Sequence, residues 1–140
     1  MHWLPLAFLS SITAALVAIF GKLGLKEIDP TLATTVRSVI MAGCLVLLSA
    51  SLGKLQSFSF SAFSLRDWTL IVLAGLAGAL SWLFYFMALK FGPATNVVVI
   101  DRLSLVFVIV LAALFLGETL RWKSVVGAIL MIIGAILITT

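Results

Sequence analysis

Two adjacent ionisable residues, Asp101 and Arg102, interrupt a run that is otherwise almost entirely apolar, "NVVVIDRLSLVFV" at 96–108. A carboxylate and a guanidinium in such a place can bind a charged ligand, or each can pair with a charge on another helix. At the centre of a bilayer, one charge costs about 2.5–3.5 kcal/mol on insertion scales. The pattern therefore predicts either a binding site or a structural ion pair.

Composition places the chain in a membrane. Of its 140 residues, 64% are hydrophobic and 10% are charged, with a mean hydropathy of +1.32. The net charge of +4 comes from single residues at segment ends, which does not suggest nucleic-acid binding. The only histidine is His2, and we find no nucleophile–base constellation or metal cluster. We therefore expect neither an enzyme nor a cofactor.

Hydropathy predicts an all-α membrane protein with five transmembrane helices in one domain, 1–140. The predicted spans are 4–24, 31–52, 67–90, 94–116 and 120–139. Asp29 before Pro30 has the sequence of an N-cap with proline at the first helical position. Ser64 and Asp67 have capping-box spacing before the third span, and Thr119 is a candidate cap for the fifth.

The longest predicted connection, about 53–67, contains "SFSFSAFS". Its alternation resembles a strand, but an isolated strand would have no partner. We predict instead an interfacial loop that places Phe58, Phe60 and Phe63 among the lipid headgroups.

A polar layer is predicted about a third of the way through the hydrocarbon. A helix rises ~1.5 Å per residue, which puts Asp101 and Arg102 roughly 10–12 Å from the start of the fourth helix. Arg37 lies about 9–10 Å into the second helix, which begins on the same side of the membrane. The predicted site consists of Arg37, Trp82, Tyr85, Asp101, Arg102 and Ser104.

Within this layer, Asp101 and Arg102 lie some 100° apart on their helix and do not face each other. Arg37 is the natural partner for Asp101, because it lies at matching depth on another helix. One carboxylate against two guanidiniums leaves a positive surplus, which favours a small anion or a carboxylate-bearing metabolite. Two readings stay open at this point: the layer binds a substrate, or it only fixes the register of the helices.

The orientation in the membrane is weakly determined. An odd number of spans puts the two termini on opposite sides. Three of the four tryptophans, Trp3, Trp68 and Trp122, fall at the N-terminal side, as an aromatic belt would. Basic residues near helix ends number four on that side (Lys54, Arg66, Arg121, Lys123) and three on the other (Lys22, Lys26, Lys90). We therefore expect insertion in both orientations.

The sequence resembles a single five-helix repeat of the EamA type, in the drug/metabolite transporter superfamily. The motifs that carry the resemblance are "ALKFGPA" at 88–94, "IDRLS" at 100–104 and "LFLGE" at 114–118. The final helix follows, with Gly127 and Gly134. In the first half, Lys22, Pro30 and Arg37 match a weaker pattern.

The resemblance implies a transporter of a small metabolite or drug-like compound in the inner membrane of a prokaryotic cell. Larger members carry two such repeats, and an odd-helix repeat in tandem is inverted, as alternating access requires. One repeat implies a homodimer, with an antiparallel arrangement. Larger members often have proline where this chain has Leu105, so we expect the fourth helix to lack a proline kink. The alternative is a membrane subunit that does not transport and acts structurally or in regulation.

Overall fold

The computed structural model describes residues 3–25, 27–56, 58–59 and 63–140. These residues form helices and connecting turns, with no strand among them. The helices are α1 (Trp3–Gly24), α2 (Pro30–Ser51), α3 (Leu65–Phe91), α4 (Ala94–Asp101), α5 (Ser104–Phe115) and α6 (Trp122–Thr139). Counting Ala94–Phe115 as one span, five stretches of the described chain are long and apolar enough to cross a membrane. The predicted fold class is confirmed.

Two helix starts are capped by the side chains that the sequence indicated. Asp29 Oδ1 accepts hydrogen bonds from the backbone N–H groups of Thr31 and Leu32, at 2.9 and 3.1 Å. The Ser64 hydroxyl donates to Asp67 Oδ2 over 2.6 Å, and its oxygen accepts from the Asp67 N–H over 3.2 Å. These bonds satisfy donors that a helix start leaves without partners.

The third proposed cap is wrong. The last helix begins at Trp122, and the residue at its cap position is Arg121, which makes no side-chain capping bond. Thr119 lies two residues before that cap position, in the extended approach to the helix.

Glycine ends two of the helices. After α2, Gly53 has φ +68°, its N–H donates to Ala50 O over 2.9 Å, and Lys54 N–H donates to Ser49 O over 2.9 Å. This is a Schellman motif, and its left-handed residue favours glycine. Gly117, with φ +66°, turns the chain after α5.

The fourth span is interrupted at the predicted polar layer. Arg102 and Leu103 separate α4 from α5. Leu103, Leu105 and Val106 N–H groups donate to the carbonyls three residues earlier, over 3.0, 3.1 and 2.9 Å. This is 3₁₀-type bonding, which often marks a functional hinge when it occurs inside a helix. The interruption occurs although Leu105 is not a proline, so the loss of the proline does not make this span a continuous α-helix.

Contacts divide the chain into two units, and each is described by itself. The first comprises Met1–Phe20 and Phe91–Thr140. Within it, α6 contacts both α4 and α5. The buried residues of α6 are Ala128 and Ala135, which lie seven residues apart on one face. Small residues at this spacing allow helix backbones to approach closely.

The second unit, Gly21–Lys90, ties the end of α1 to the end of α3 through two lysines. Lys22 Nζ donates to Leu89 O over 2.6 Å. In the reverse direction, Lys90 Nζ donates to Leu25 O over 2.8 Å and to Ile28 O over 3.1 Å. Helix C-termini carry unpaired carbonyls and a partial negative charge, so ammonium groups are favourable there. We call this pair of contacts the lysine clasp.

The clasp surrounds the most deeply buried side chains among the described residues. Leu25 is 2% exposed and Leu89 is fully buried. Gly21 permits this close packing: a Cβ at that position would lie 3.3 Å from Leu89 Cδ1 and 3.4 Å from Phe86 Cζ.

The connection between α2 and α3 holds an aromatic cluster. The rings of Phe58 and Phe63 are 5.9 Å apart, and those of Phe63 and Trp68 are 5.5 Å apart, measured between centroids. Phe60 lies outside the described residues. Insertion of this loop among headgroups stays a prediction.

Gly21→Leu is expected to destabilise the second unit, because the new side chain must displace Leu89 and Phe86. Overpacking of this kind typically costs about 1–3 kcal/mol. The measurement is the thermal unfolding midpoint of the purified protein in detergent. Gly75→Leu is the control, since a Cβ there meets nothing within 4 Å. Equal loss in both variants would contradict the close-approach argument.

Candidate functional site

The structure brings Arg37 of α2 onto an aromatic surface of α3. The Arg37 guanidinium carbon lies 3.7 Å from the centroid of the Trp82 ring and 5.4 Å from that of Phe86. A guanidinium over a ring face is a cation–π contact, which strengthens as water is removed. The predicted neighbourhood of Arg37 and Trp82 is therefore present within one unit.

Three aromatic side chains form the surface beneath Arg37. Trp82 and Tyr85 meet edge to face, with centroids 5.5 Å apart and planes at 84°. Phe86 lies 6.1 Å from each of their centroids and is 3% exposed. Sequence reasoning paired Trp82 with Tyr85 but missed Phe86. The signal was present, because positions i and i+4 share a helix face.

One guanidinium nitrogen of Arg37 lacks a hydrogen-bond acceptor. Nη1 is buried, and no described residue of the second unit accepts from it. An unpaired buried donor carries a desolvation penalty, which is larger for a charged group. The stacking on Trp82 stabilises the face of the guanidinium and leaves the Nη1 donor without an acceptor.

Asp101, Arg102 and Ser104 belong to the first unit and are exposed there. They stand at the interruption between α4 and α5, where Asp101 ends one helix and Ser104 begins the next. No described residue of the first unit hydrogen-bonds to the side chain of Asp101 or Arg102. The pairing of Asp101 with Arg37 stays a prediction, as does the common layer that would include all six predicted residues.

The lysine clasp is the second feature that sequence reasoning missed. Lys22 and Lys90 were counted as charges near a membrane surface and lie in stretches that resemble the family, but their contacts were not predicted. Their contacts join residues 67 and 65 positions apart in the chain, which no local pattern reveals. The available signal was the position of both lysines in the last turn of a helix.

Five stretches of the described chain are long and apolar enough to cross a membrane, and ionisable side chains lie inside some of them. The chain belongs to the EamA-like transporter family, whose model matches residues 1–140. It is therefore a membrane transporter by family.

A curated relative has the same dimensions. A protein of a Sinorhizobium species, described as an uncharacterized transporter in the cobO 3′ region, is 38% identical over 136 residues. The match covers 97% of this chain and 95% of the relative, so the two are of nearly equal length. No solved structure matches.

The stacking of Arg37 on Trp82 is measurable as a coupling energy. In a double-mutant cycle, Arg37→Met and Trp82→Leu should couple by about 0.5–2 kcal/mol in the free energy of unfolding. Arg37→Met with Trp68→Leu is the control cycle, because Trp68 contacts Phe63. The stack would be refuted by a coupling for Trp82 no larger than that for Trp68.

Proposed function

We propose that the chain transports a small anionic, carboxylate-bearing metabolite or drug-like compound as a homodimer with alternating access. The observation that supports a negatively charged substrate is the stacking of Arg37 on Trp82. A guanidinium held over a ring at 3.7 Å, with a buried donor that lacks an acceptor, is a preorganised cation. Planar guanidinium groups bind carboxylates with two parallel hydrogen bonds.

The proposed substrate layer contains all six predicted residues. Arg37 binds the anion, while Trp82 and Tyr85 form the aromatic wall against its body. Asp101, Arg102 and Ser104 contribute polar groups from the interrupted fourth span. Interrupted helices that line substrate sites are a recurrent feature of secondary transporters, and the 3₁₀ turn at Arg102–Leu103 supports this assignment.

The proposed homodimer is supported by the small number of membrane spans in the part of the chain that the structure describes. Five helices enclose little space by themselves, and a relative of nearly equal length also carries a transporter description. The antiparallel arrangement is supported by the balance of basic residues, because a small difference between the two sides permits both orientations. Two oppositely inserted copies would reproduce the inverted repeats on which alternating access relies. The proposed location is the inner membrane of a prokaryotic cell, in agreement with the bacterial source of the relative.

A second candidate is a membrane subunit without transport activity. The lysine clasp favours it, because here two charged side chains of this protein serve to join helix ends. By analogy, Asp101 and Arg102 would only fix the register of helices.

Asp101→Asn separates the two candidates. Under the transport proposal, the variant should lower the flux of labelled carboxylates, succinate and 3-phenylpropanoate, into liposomes at least tenfold (~1.4 kcal/mol in the barrier). The dimer should persist, as measured by light scattering in detergent. Glu27→Gln is the matched control, because Glu27 lies in the turn between α1 and α2. Loss of the dimer in Asp101→Asn, together with wild-type protein that gives no flux in liposomes, would favour the structural candidate.

The orientation proposal predicts that a reporter fused to the C-terminus gives signal in both compartments. Adding two lysines after Thr140 should shift the signal toward the cytoplasmic orientation of that end, since basic residues near span ends set topology. Flux should fall when one orientation dominates and return when an oppositely biased copy is supplied. A wild-type signal in one compartment alone would reject the antiparallel dimer.

A further inference from the structure

An apolar groove of about 420 Å³ lies within the second unit, and Arg37 is one of its lining residues. We call it the Arg37 groove. Its lining residues are Gly21, Gly24, Leu25, Ile28, Leu32, Ala33, Val36, Arg37, Ile40 and Phe86. Arg37 is the one ionisable residue among them. Ligand sites commonly combine a mostly apolar wall with a small number of placed polar groups.

A second groove in the same unit lacks these properties. It measures about 450 Å³ and lies along the hydroxyl face of α2. Three of its four hydroxyls donate to their own helix: Thr34 to Pro30 O over 2.7 Å, Thr35 to Thr31 O over 2.9 Å and Ser38 to Thr34 O over 2.8 Å. These three hydroxyl protons are not left for a ligand, and no ionisable residue lines this groove. Charge therefore singles out the Arg37 groove.

The walls of the Arg37 groove are fixed from two directions. Phe86 lies between Arg37 and Gly21: the guanidinium carbon is 5.4 Å from its ring centroid, and a Cβ at Gly21 would lie 3.4 Å from its Cζ. Leu25 is another lining residue, and its carbonyl oxygen accepts a hydrogen bond from Lys90 Nζ in the lysine clasp. A wall fixed before binding lowers the ordering cost of association. Gly24 leaves room, because a Cβ there meets nothing within 4 Å.

From this charge distribution we infer that the Arg37 groove binds an amphiphilic monocarboxylate. The ligand carboxylate accepts hydrogen bonds from the Arg37 guanidinium, and its hydrocarbon body lies against Phe86 and the aliphatic lining. The inference rests on the proposed function and narrows it, because it assigns the substrate class as hydrophobic acids rather than polar diacids. Each protomer would hold one such groove, built from its own residues.

The test measures binding of 3-phenylpropanoate to the purified full chain in phosphatidylcholine nanodiscs, by calorimetry. The uncharged amide of the same acid should bind at least about tenfold more weakly, since hydrogen bonds to a charged partner contribute about 1.5–3 kcal/mol. Acetate, which has the charge without the body, should give no measurable heat. Equal affinity for the acid and its amide would overturn the inference.

Two variants examine the groove itself. Gly24→Leu should weaken 3-phenylpropanoate binding at least tenfold by filling the space. Gly43→Leu, a matched control on α2, should not, because its Cβ also meets nothing within 4 Å and it lines neither groove. Arg37→Met should reduce the affinity for the acid to that for the amide. Unchanged affinity in Gly24→Leu, with an unfolding midpoint like that of wild type, would reject this location.

Lipid and transport outcomes are distinguishable in the same preparation. Replacing half of the phosphatidylcholine by phosphatidylglycerol should leave the affinity within threefold. Loss of binding there would assign the groove to a lipid phosphate and overturn the proposal. Binding without flux in liposomes would uphold the groove and reject transport. Flux of 3-phenylpropanoate that is indifferent to Gly24→Leu would uphold transport and reject the groove as the substrate site.

Discussion

The dominant constraint on this chain is the cost of keeping a charge beside hydrocarbon without a partner. In a protein with 10% charged residues, three charges of the second unit show how that cost is lowered. Lys22 and Lys90 donate to carbonyls at helix ends. Arg37 lies on the face of Trp82. The positions of these three side chains account for much of how α1, α2 and α3 meet in the second unit.

The lysine clasp and the Arg37 stack differ in whether every hydrogen-bond donor has an acceptor. The ammonium groups of the clasp donate to carbonyls that a helix end leaves unpaired, so both partners gain. The guanidinium of Arg37 gains an aromatic face, but its buried Nη1 gains no acceptor within the unit. In the clasp, both ammonium groups donate to carbonyls. In the Arg37 stack, one buried guanidinium donor has no acceptor. A ligand or a second chain that supplies the missing acceptor would remove the desolvation penalty of that donor.

Local chemistry was predictable from the sequence, and long-range chemistry was not. The caps at Asp29 and Ser64–Asp67 are confirmed because each depends on residues within one turn. Arg37 and Trp82 were grouped by depth from the rise per residue, and the structure brings them into contact, while their role in binding stays a prediction. The lysine clasp depends on which helix ends meet, and residue spacing carries no such information. The interruption at Arg102–Leu103 contains no proline or glycine that would indicate a helix break. Hydropathy therefore predicted one continuous span there.

The interruption links the fold to the proposed mechanism. A span whose hydrogen bonding tightens at Arg102–Leu103 has a weaker helical connection there than elsewhere along its length. Asp101 and Arg102 flank or occupy this point and are exposed in their unit. Alternating access needs a segment that can change its backbone geometry while its ends stay anchored, and α6 anchors both α4 and α5. Under the proposed function, Asp101 and Arg102 would carry contacts with the substrate to the segment whose backbone geometry must change.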